Sequence, residues 1–135
     1  MSSNAAVHLY SIQVCPFAQR TRILLTLKGV PFELTEIDIT RPRPAWFLEL
    51  NPLGKVPVIA HAGRVLNESS VINEYLEEVF PARRVFPEDA YRRAQSRIFI
   101  DYVNHGFVAP MYQLLMNQDP AKEDALIASA RATWA

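Results

Sequence analysis

Residues 7–20, VHLYSIQVCPFAQR, decide the fold. Within them, residues 7–11 place apolar, β-branched and aromatic side chains in alternation, which predicts a short strand. A three-residue loop leads to Cys15, and Pro16 follows at the first turn of a helix, where proline is tolerated best. The apolar spacing beyond it is helical, and Gly29 predicts the end of that helix. The sequence therefore predicts a strand that passes through a loop into a helix led by a cysteine.

The next segments alternate between strand and helix patterns and complete one α/β domain. Residues 32–38 predict a strand, residues 45–50 a short helix and residues 56–66 a β-hairpin. An amphipathic helix follows from Asn67, and its predicted buried stripe consists of Val71, Ile72, Tyr75, Leu76 and Val79. A strand–helix–strand unit is parallel and the hairpin is antiparallel, so we expect a mixed sheet with flanking helices.

The character of the chain changes after a proline-containing linker at residues 80–88. Beyond it the patterns are all helical, with a long helix kinked at Pro110 and another helix from Ala121. We expect one domain at residues 1–82 and the first helices of an all-α domain at residues 83–135. A helical hairpin does not bury apolar faces this wide, so the pattern favours a truncated chain or one that needs a partner.

The composition excludes several classes of function. The 14 Lys and Arg residues balance 14 Asp and Glu residues, so the chain has no net positive charge to attract nucleic acid or an anionic membrane. The longest apolar runs fall far below the roughly 18 residues of a membrane span. Residues 1–6 carry no secretory signal, and a single cysteine cannot form an internal disulfide. These features predict a cytoplasmic protein.

Metal and nucleotide sites find no support in the sequence. His8, His61 and His105 stand far apart without the spacing of metal ligands, so no metal site is expected. The chain also lacks the glycine-rich loops that bind phosphate groups, so no nucleotide is expected.

Cys15 is the candidate nucleophile. A sulfur at the start of a helix faces backbone N–H groups and the positive end of the helix dipole, and both favour the thiolate. Arg20 and Arg22 lie one to two turns further along and add positive charge. A lone cysteine is usually buried and inert, but the order strand, loop, Cys-Pro, helix favours a reactive one. Ala18 occupies the place of a second, resolving cysteine, so any redox cycle is expected to be monothiol.

Two further segments have both a structural and a functional interpretation. Pro57, at the entry of a predicted strand, indicates either an edge-strand proline or a cis bond that leaves the neighbouring backbone to a ligand. Glu68 and Ser69 begin a helix and suit a ligand with a free α-carboxylate beside an α-amine. A plain helix cap is the alternative, and for this pair taken by itself it is the favoured interpretation.

Taken in order, CPFAQR (residues 15–20), NPLGKVP (residues 51–57) and the Glu68–Ser69 pair resemble the cytosolic glutathione transferases. The cysteine-bearing omega class is the most similar subset. The resemblance covers residues 7–82 well and continues more weakly into the first helices of that family's all-α domain. It implies a thioredoxin-like fold for the first domain.

The resemblance also implies a site and a cofactor, glutathione. Cys15 would form a mixed disulfide with glutathione. The implied glutathione-binding residues are Phe17 beside the thiol, Lys55 near the glycyl carboxylate, Val56 and a cis-Pro57 at the cysteinyl backbone, and Glu68 and Ser69 at the γ-glutamyl end. The implied part of a co-substrate pocket consists of Phe107, Met111 and Tyr112, for which plain hydrophobic core is the alternative interpretation.

Cysteine in place of the serine or tyrosine of other classes implies a glutathione-dependent thiol transferase or dehydroascorbate reductase, with a small or protein-bound thiol or disulfide as co-substrate. Two alternatives share the fold: a non-enzymatic interaction module like the stringent starvation proteins, and a protein like the intracellular chloride channels. The first is disfavoured by the retention of Cys15, Lys55, Glu68 and Ser69. The polar helix after Cys15 disfavours membrane insertion. We also expect a homodimer through the helix after Glu68 and an arginine-rich helix start that carries Arg92, Arg93 and Arg97.

Overall fold

The structure, a computed structural model, describes residues 6–135. The chain divides into two compact units, Met1–Phe86 and Pro87–Ala135. The elements of the first unit are β1 (Val7–Ser11), α1 (Pro16–Lys28), β2 (Phe32–Glu36), α2 (Ala45–Leu50), β3 (Val58–His61), β4 (Arg64–Asn67) and α3 (Ser69–Val79). This order is the one that the sequence patterns predict.

The four strands form one mixed sheet in the order β2-β1-β3-β4. β1 and β2 are parallel, with Val7 opposite Phe32 and Ser11 opposite Glu36. β3 runs antiparallel to both β1 and β4. The predicted mixed sheet is confirmed, and its topology brings the end of β1 next to the segment that enters β3.

The main hydrophobic core lies where α1 and α3 meet the sheet. Its buried members are Val7, Leu9, Leu24, Leu25, Val30, Ile59, Ile72 and Leu76. The buried Thr21 hydroxyl donates to Asn73 Oδ1 at 3.0 Å and joins the two helices. The predicted buried stripe of α3 is wrong at Val71 and Val79, which are 56% and 38% exposed. The side of α3 that packs on the core is narrower than the set of apolar residues on this helix.

Cys15 lies at the end of the loop that leads from β1 into α1. This residue has an extended backbone (φ −79°, ψ 116°) and stands directly before Pro16, the first residue of α1. Its N–H donates to the Ile12 carbonyl at 3.0 Å and closes the loop as a turn. α1 ends at Gly29, whose φ of 66° lies in the left-handed region that favours glycine. The loop, the cysteine and both helix ends therefore follow the sequence prediction.

The second unit is helical, with α4 (Ala90–Tyr102), a π-helical segment (Val103–Val108), α5 (Ala109–Leu115) and α6 (Pro120–Trp134). Asp89 caps α4 by accepting from the Arg92 N–H at 2.9 Å. The kink expected at Pro110 takes the form of π-helical turns just before it, since proline has no N–H and its ring disturbs the preceding turn. The Gly106 carbonyl, four residues before Pro110, accepts from Trp134 Nε1 at 3.1 Å.

Candidate functional site

A small cavity of about 150 Å³ opens in the first unit. Its lining consists of Phe17, Lys55, Val56, Pro57, Asn67, Glu68 and Ser69. All six residues that the sequence implies for glutathione binding are in this lining, and Asn67 is an addition. They come from α1, from the loop before β3 and from the junction of β4 with α3, which the strand order sets side by side. Their contacts to a ligand stay predictions.

Cys15 lies next to this lining. Its half-buried thiol donates to the Val56 carbonyl oxygen at 3.9 Å. It also packs against a second hydrophobic cluster, made of Ile12, Ile37, Phe47 and Val58, in which Phe47 is contributed by α2. The sulfur therefore stands at the edge of the cavity, beside the backbone of Val56.

Arg20 supplies positive charge near Cys15. Its guanidinium carbon lies 5.1 Å from the centroid of the Phe17 ring, in cation–π geometry. Burial lowers the pKa of Arg20, and the Coulombic attraction of Cys15 raises it only part of the way back. Arg22, the other arginine expected to act on the thiol, donates to the Gln13 carbonyl at 2.8 Å. Arg20 is therefore an arginine whose charge interacts with the Cys15 sulfur in the structure.

The Val56–Pro57 peptide bond is cis. The sequence left an edge-strand proline and a cis bond open for Pro57, and the structure decides for the cis bond. Pro57 is buried directly before β3, whereas Lys55 is exposed. Both still border the cavity, so a buried backbone segment and an exposed cation meet at this wall.

The opposite wall is the junction of β4 with α3. Glu68 has φ 68° and ψ 107°, a conformation that residues other than glycine rarely adopt. Ser69, the first residue of α3, is 5% exposed. Strained backbone concentrates at ligand-binding positions, where the surrounding structure holds it in place. Nothing in the sequence signals the strain, because Glu68 reads as an ordinary residue before a helix.

Sequence reasoning also assigned no role to Asn51, which is 1% exposed. Its side chain is hydrogen-bonded both to Lys55 and to Asn67, one on each wall of the cavity. Asparagine is common where a helix ends and a proline-containing turn begins, because its side chain hydrogen-bonds to nearby backbone. That position is the sequence feature that could have drawn attention to Asn51. Its hydrogen bond with Asn67, 16 residues away, could not be predicted from local sequence patterns.

The three residues expected at a co-substrate pocket lie in the second unit. Phe107, on the π-helical segment, is 46% exposed and packs on Trp134 with ring centroids 5.1 Å apart. Met111 and Tyr112 lie on α5 and are half-buried. Their part in binding a co-substrate stays a prediction.

Two other kinds of feature are absent from residues 6–135. None of the helices there has the length and apolar character that crossing a membrane requires. Within the same range, no three side chains of the His, Cys, Asp and Glu types gather as a metal-binding group.

Comparison with known proteins agrees with this fold. A profile described as "Glutathione S-transferase, N-terminal domain" matches residues 14–79. The "Probable glutathione transferase" of Aplysia californica is 42% identical over 93 residues, which cover 69% of this chain and 97% of that protein. The chain belongs to the glutathione transferase family.

Relatives of the omega class refine this assignment. "Glutathione S-transferase omega-1" of Mus musculus is 40% identical over 96 residues, covering 70% of this chain and 40% of the relative. Glutathione transferase Omega 3C from Trametes versicolor has a crystal structure that matches with a TM-score of 0.81 at 30% identity, over 95% of this chain and 58% of that one. The chain thus spans about 40% of the length of the mouse relative. The thioredoxin-like fold and the resemblance to the omega class are confirmed.

Proposed function

We propose that this chain is a glutathione-dependent thiol transferase in which Cys15 forms a mixed disulfide with glutathione. The supporting observation is the position of the Cys15 sulfur, 3.9 Å from the Val56 carbonyl oxygen, at the edge of a cavity that Val56 helps to line. A ligand whose backbone lies along Val56 would hold its own sulfur next to this thiol. Positioning of that kind accelerates a reaction without further machinery.

The two ends of the cavity suit the two charged ends of glutathione. Lys55 supplies an ammonium group for the glycyl carboxylate. At the other wall, the start of α3 offers backbone N–H groups and the Ser69 hydroxyl to the γ-glutamyl carboxylate. Glu68 accepts from the neighbouring α-amine, and Phe17 covers the ligand beside the thiol. This arrangement anchors both ends and leaves the central cysteine facing Cys15.

The proposed reaction has two balanced steps. The Cys15 thiolate attacks the glutathione sulfur of a mixed disulfide, forms a bond to it, and releases the other thiol as the leaving group. A second glutathione, as thiolate, then attacks the same sulfur, which yields glutathione disulfide and returns the Cys15 thiolate. Ala18 replaces a resolving cysteine, so the second step depends on external glutathione.

The co-substrate in this proposal is a small or protein-bound disulfide or an oxidant of the dehydroascorbate type. Phe107, Met111 and Tyr112 are the residues that we propose for its pocket. The names of the relatives favour a transferase over an interaction module of the stringent starvation type or a chloride-channel-like protein. We further propose a cytoplasmic location, where a reducing glutathione pool supplies the second step.

Intact mass after incubation with oxidised glutathione tests this function. The wild type is expected to gain one glutathione within minutes near pH 6, and Cys15→Ser is expected to gain none. Dithiothreitol should remove the adduct, because it is a disulfide. A wild type that stays unmodified until the pH of an ordinary thiol, about 8.5, would overturn the proposal and favour the interaction module.

We also propose that two copies of the chain pair through α3. Its outer surface, lined by Ser70, Val71, Glu74, Tyr75 and Glu78, carries the 56% exposed Val71. The proposed counterpart is the start of α4, where Arg92 and Arg97 are exposed and Arg93 donates to the carbonyls of the preceding segment. Sedimentation velocity should show a dimer that Val71→Asp dissociates. A monomer at all concentrations would contradict this.

A further inference from the structure

We infer that Asn51 is a positioning residue that fixes the two walls of the cavity to each other and thereby sets the affinity for glutathione. The inference about affinity rests on the proposed function. The connection between the two walls exists in the protein without ligand, so it can be measured without glutathione.

The backbone of Asn51 is held rigidly at the end of α2. Its N–H donates to the Phe47 carbonyl at 2.9 Å, and its own carbonyl accepts from the Gly54 N–H at 2.8 Å. Phe47 is fully buried in the second hydrophobic cluster. Asn51 is therefore a fixed reference point from which its side chain reaches the cavity.

The side-chain amide of Asn51 contacts both walls at once. Its Nδ2 donates to the Lys55 carbonyl at 2.8 Å. Its Oδ1 accepts from Asn67 Nδ2 at 3.3 Å and from the Leu53 N–H at 3.2 Å. One planar group thus connects the loop before β3 with the end of β4.

The contacts to Lys55 and to Asn67 each lie one position before a further residue of the proposed site. The Lys55 carbonyl belongs to the peptide unit that continues into Val56, where the cysteinyl backbone is proposed to lie. Asn67 is followed by Glu68, whose strained backbone begins the γ-glutamyl wall. A shift at either contact therefore moves backbone that is proposed to touch glutathione, and shifts near 1 Å are enough to weaken a positioned ligand.

An amide is the side chain that this connection requires. The Lys55 carbonyl needs a donor, whereas Asn67 Nδ2 and the Leu53 N–H need an acceptor, and asparagine offers both on one short group. Asn51→Asp keeps the shape and the acceptor but places a second oxygen against the Lys55 carbonyl at the observed 2.8 Å. That change breaks the contact to one wall in particular, because two acceptors cannot share a hydrogen bond.

The first experiment measures glutathione affinity by titration calorimetry with reduced protein, at a temperature where every variant is folded. Asn51→Asp is expected to weaken binding by about tenfold or more, which corresponds to the loss of one buried hydrogen bond. The matched control is Asn73→Ala, which removes the buried contact to Thr21 and is not part of the cavity lining. It should lower stability but leave affinity within about twofold. Equal affinities for the two variants would overturn the inference.

The second experiment measures amide hydrogen exchange without any ligand. Asn67→Ala, at an exposed position, is expected to speed exchange at Gly54, whose N–H donates to the Asn51 carbonyl in the loop of the opposite wall. Asn73→Ala should leave Gly54 unchanged. Unchanged exchange at Gly54 in both Asn67→Ala and Asn51→Asp would overturn the inference. Should the wild type bind no glutathione, the proposed function fails, and hydrogen exchange alone decides on Asn51.

Discussion

Cys15→Ser is expected to abolish glutathione-dependent thiol transfer, with kcat lower by about three orders of magnitude or more. A serine hydroxyl cannot form the mixed disulfide, and the sequence holds no second cysteine whose thiol could take over the first step of the proposed reaction. The affinity for glutathione should change by less than about threefold, because the cavity lining does not include Cys15. Turnover of a small glutathione mixed disulfide and calorimetric binding of glutathione measure the two effects.

Turnover and glutathione affinity of Cys15→Ser together distinguish a chemical role of the cysteine from a structural one. Loss of both turnover and affinity would mean that the cysteine supports the pocket rather than the chemistry. Retention of turnover by Cys15→Ser would mean that the transferred group never passes through this residue. Arg20→Gln serves as an intermediate variant, since it removes the charge coupled to Cys15 and keeps the sulfur. It should slow turnover without abolishing it.

The fold of this chain could be predicted from local signals, because each element carries its own periodicity and its own ends. Residues 7–11 alternate as a strand must, and Pro16 and Gly29 bound α1 for reasons of backbone geometry alone. The candidate glutathione residues, in contrast, follow from the family resemblance carried by residues 15–20, residues 51–57 and the Glu68–Ser69 pair. The structure brings these three segments to one cavity through the strand order.

The features that were not predicted depend on neighbours that are distant in the sequence. The positive φ of Glu68 follows from how β4 meets α3, and no residue type announces it. The Asn51–Asn67 contact joins residues from different elements through space. The π-helical turns before Pro110 are a further case, since the sequence predicts a disturbance there and its form depends on packing. Local patterns specify elements, and tertiary contacts specify the geometry of the site.

Lys28 illustrates what local patterns predict and what only tertiary contacts determine. Helical spacing places it on the same face as Leu24 and Leu25, and in the structure Lys28 is buried on that face. Its side chain is fully buried, and Nζ donates to Glu77 Oε1 at 2.9 Å and to the Arg83 carbonyl at 2.8 Å. A lysine on an apolar face predicts that some acceptor must exist, yet nothing in the sequence shows that it is Glu77, 49 residues away.

The carboxylate of Glu77 does more than pair with Lys28. It accepts from the backbone N–H groups of Val85 at 2.9 Å and of Phe86 at 3.2 Å, and so holds the last residues of the first unit. Burial by itself raises the pKa of Glu77. The hydrogen bonds from Lys28, Val85 and Phe86, with the charge of Lys28, outweigh burial and hold this pKa below the usual 4.5.

Lys28→Met is expected to lower the free energy of unfolding of the first unit by about 3 kcal/mol, the low end of the cost of breaking a buried ion pair. Methionine fills most of the volume of the lysine stem, but it leaves the Glu77 carboxylate without its cation and the Arg83 carbonyl without its donor. Urea denaturation at pH 7 measures the effect. Arg41→Met is the matched control, because its pair with Asp38 at 3.3 Å is on the surface and exposed, and its loss should cost less than about 0.5 kcal/mol.

The pH dependence of that difference identifies its origin. Because the folded pKa of Glu77 lies below 4.5, its carboxylate stabilises the wild type fully above pH 4.5 and loses this contribution as the pH falls through the folded value. The gap between wild type and Lys28→Met should therefore be widest at neutral pH and narrow below pH 4.5. A gap that stays constant from pH 7 to pH 3 would mean that the substitution acts through packing rather than through the ion pair.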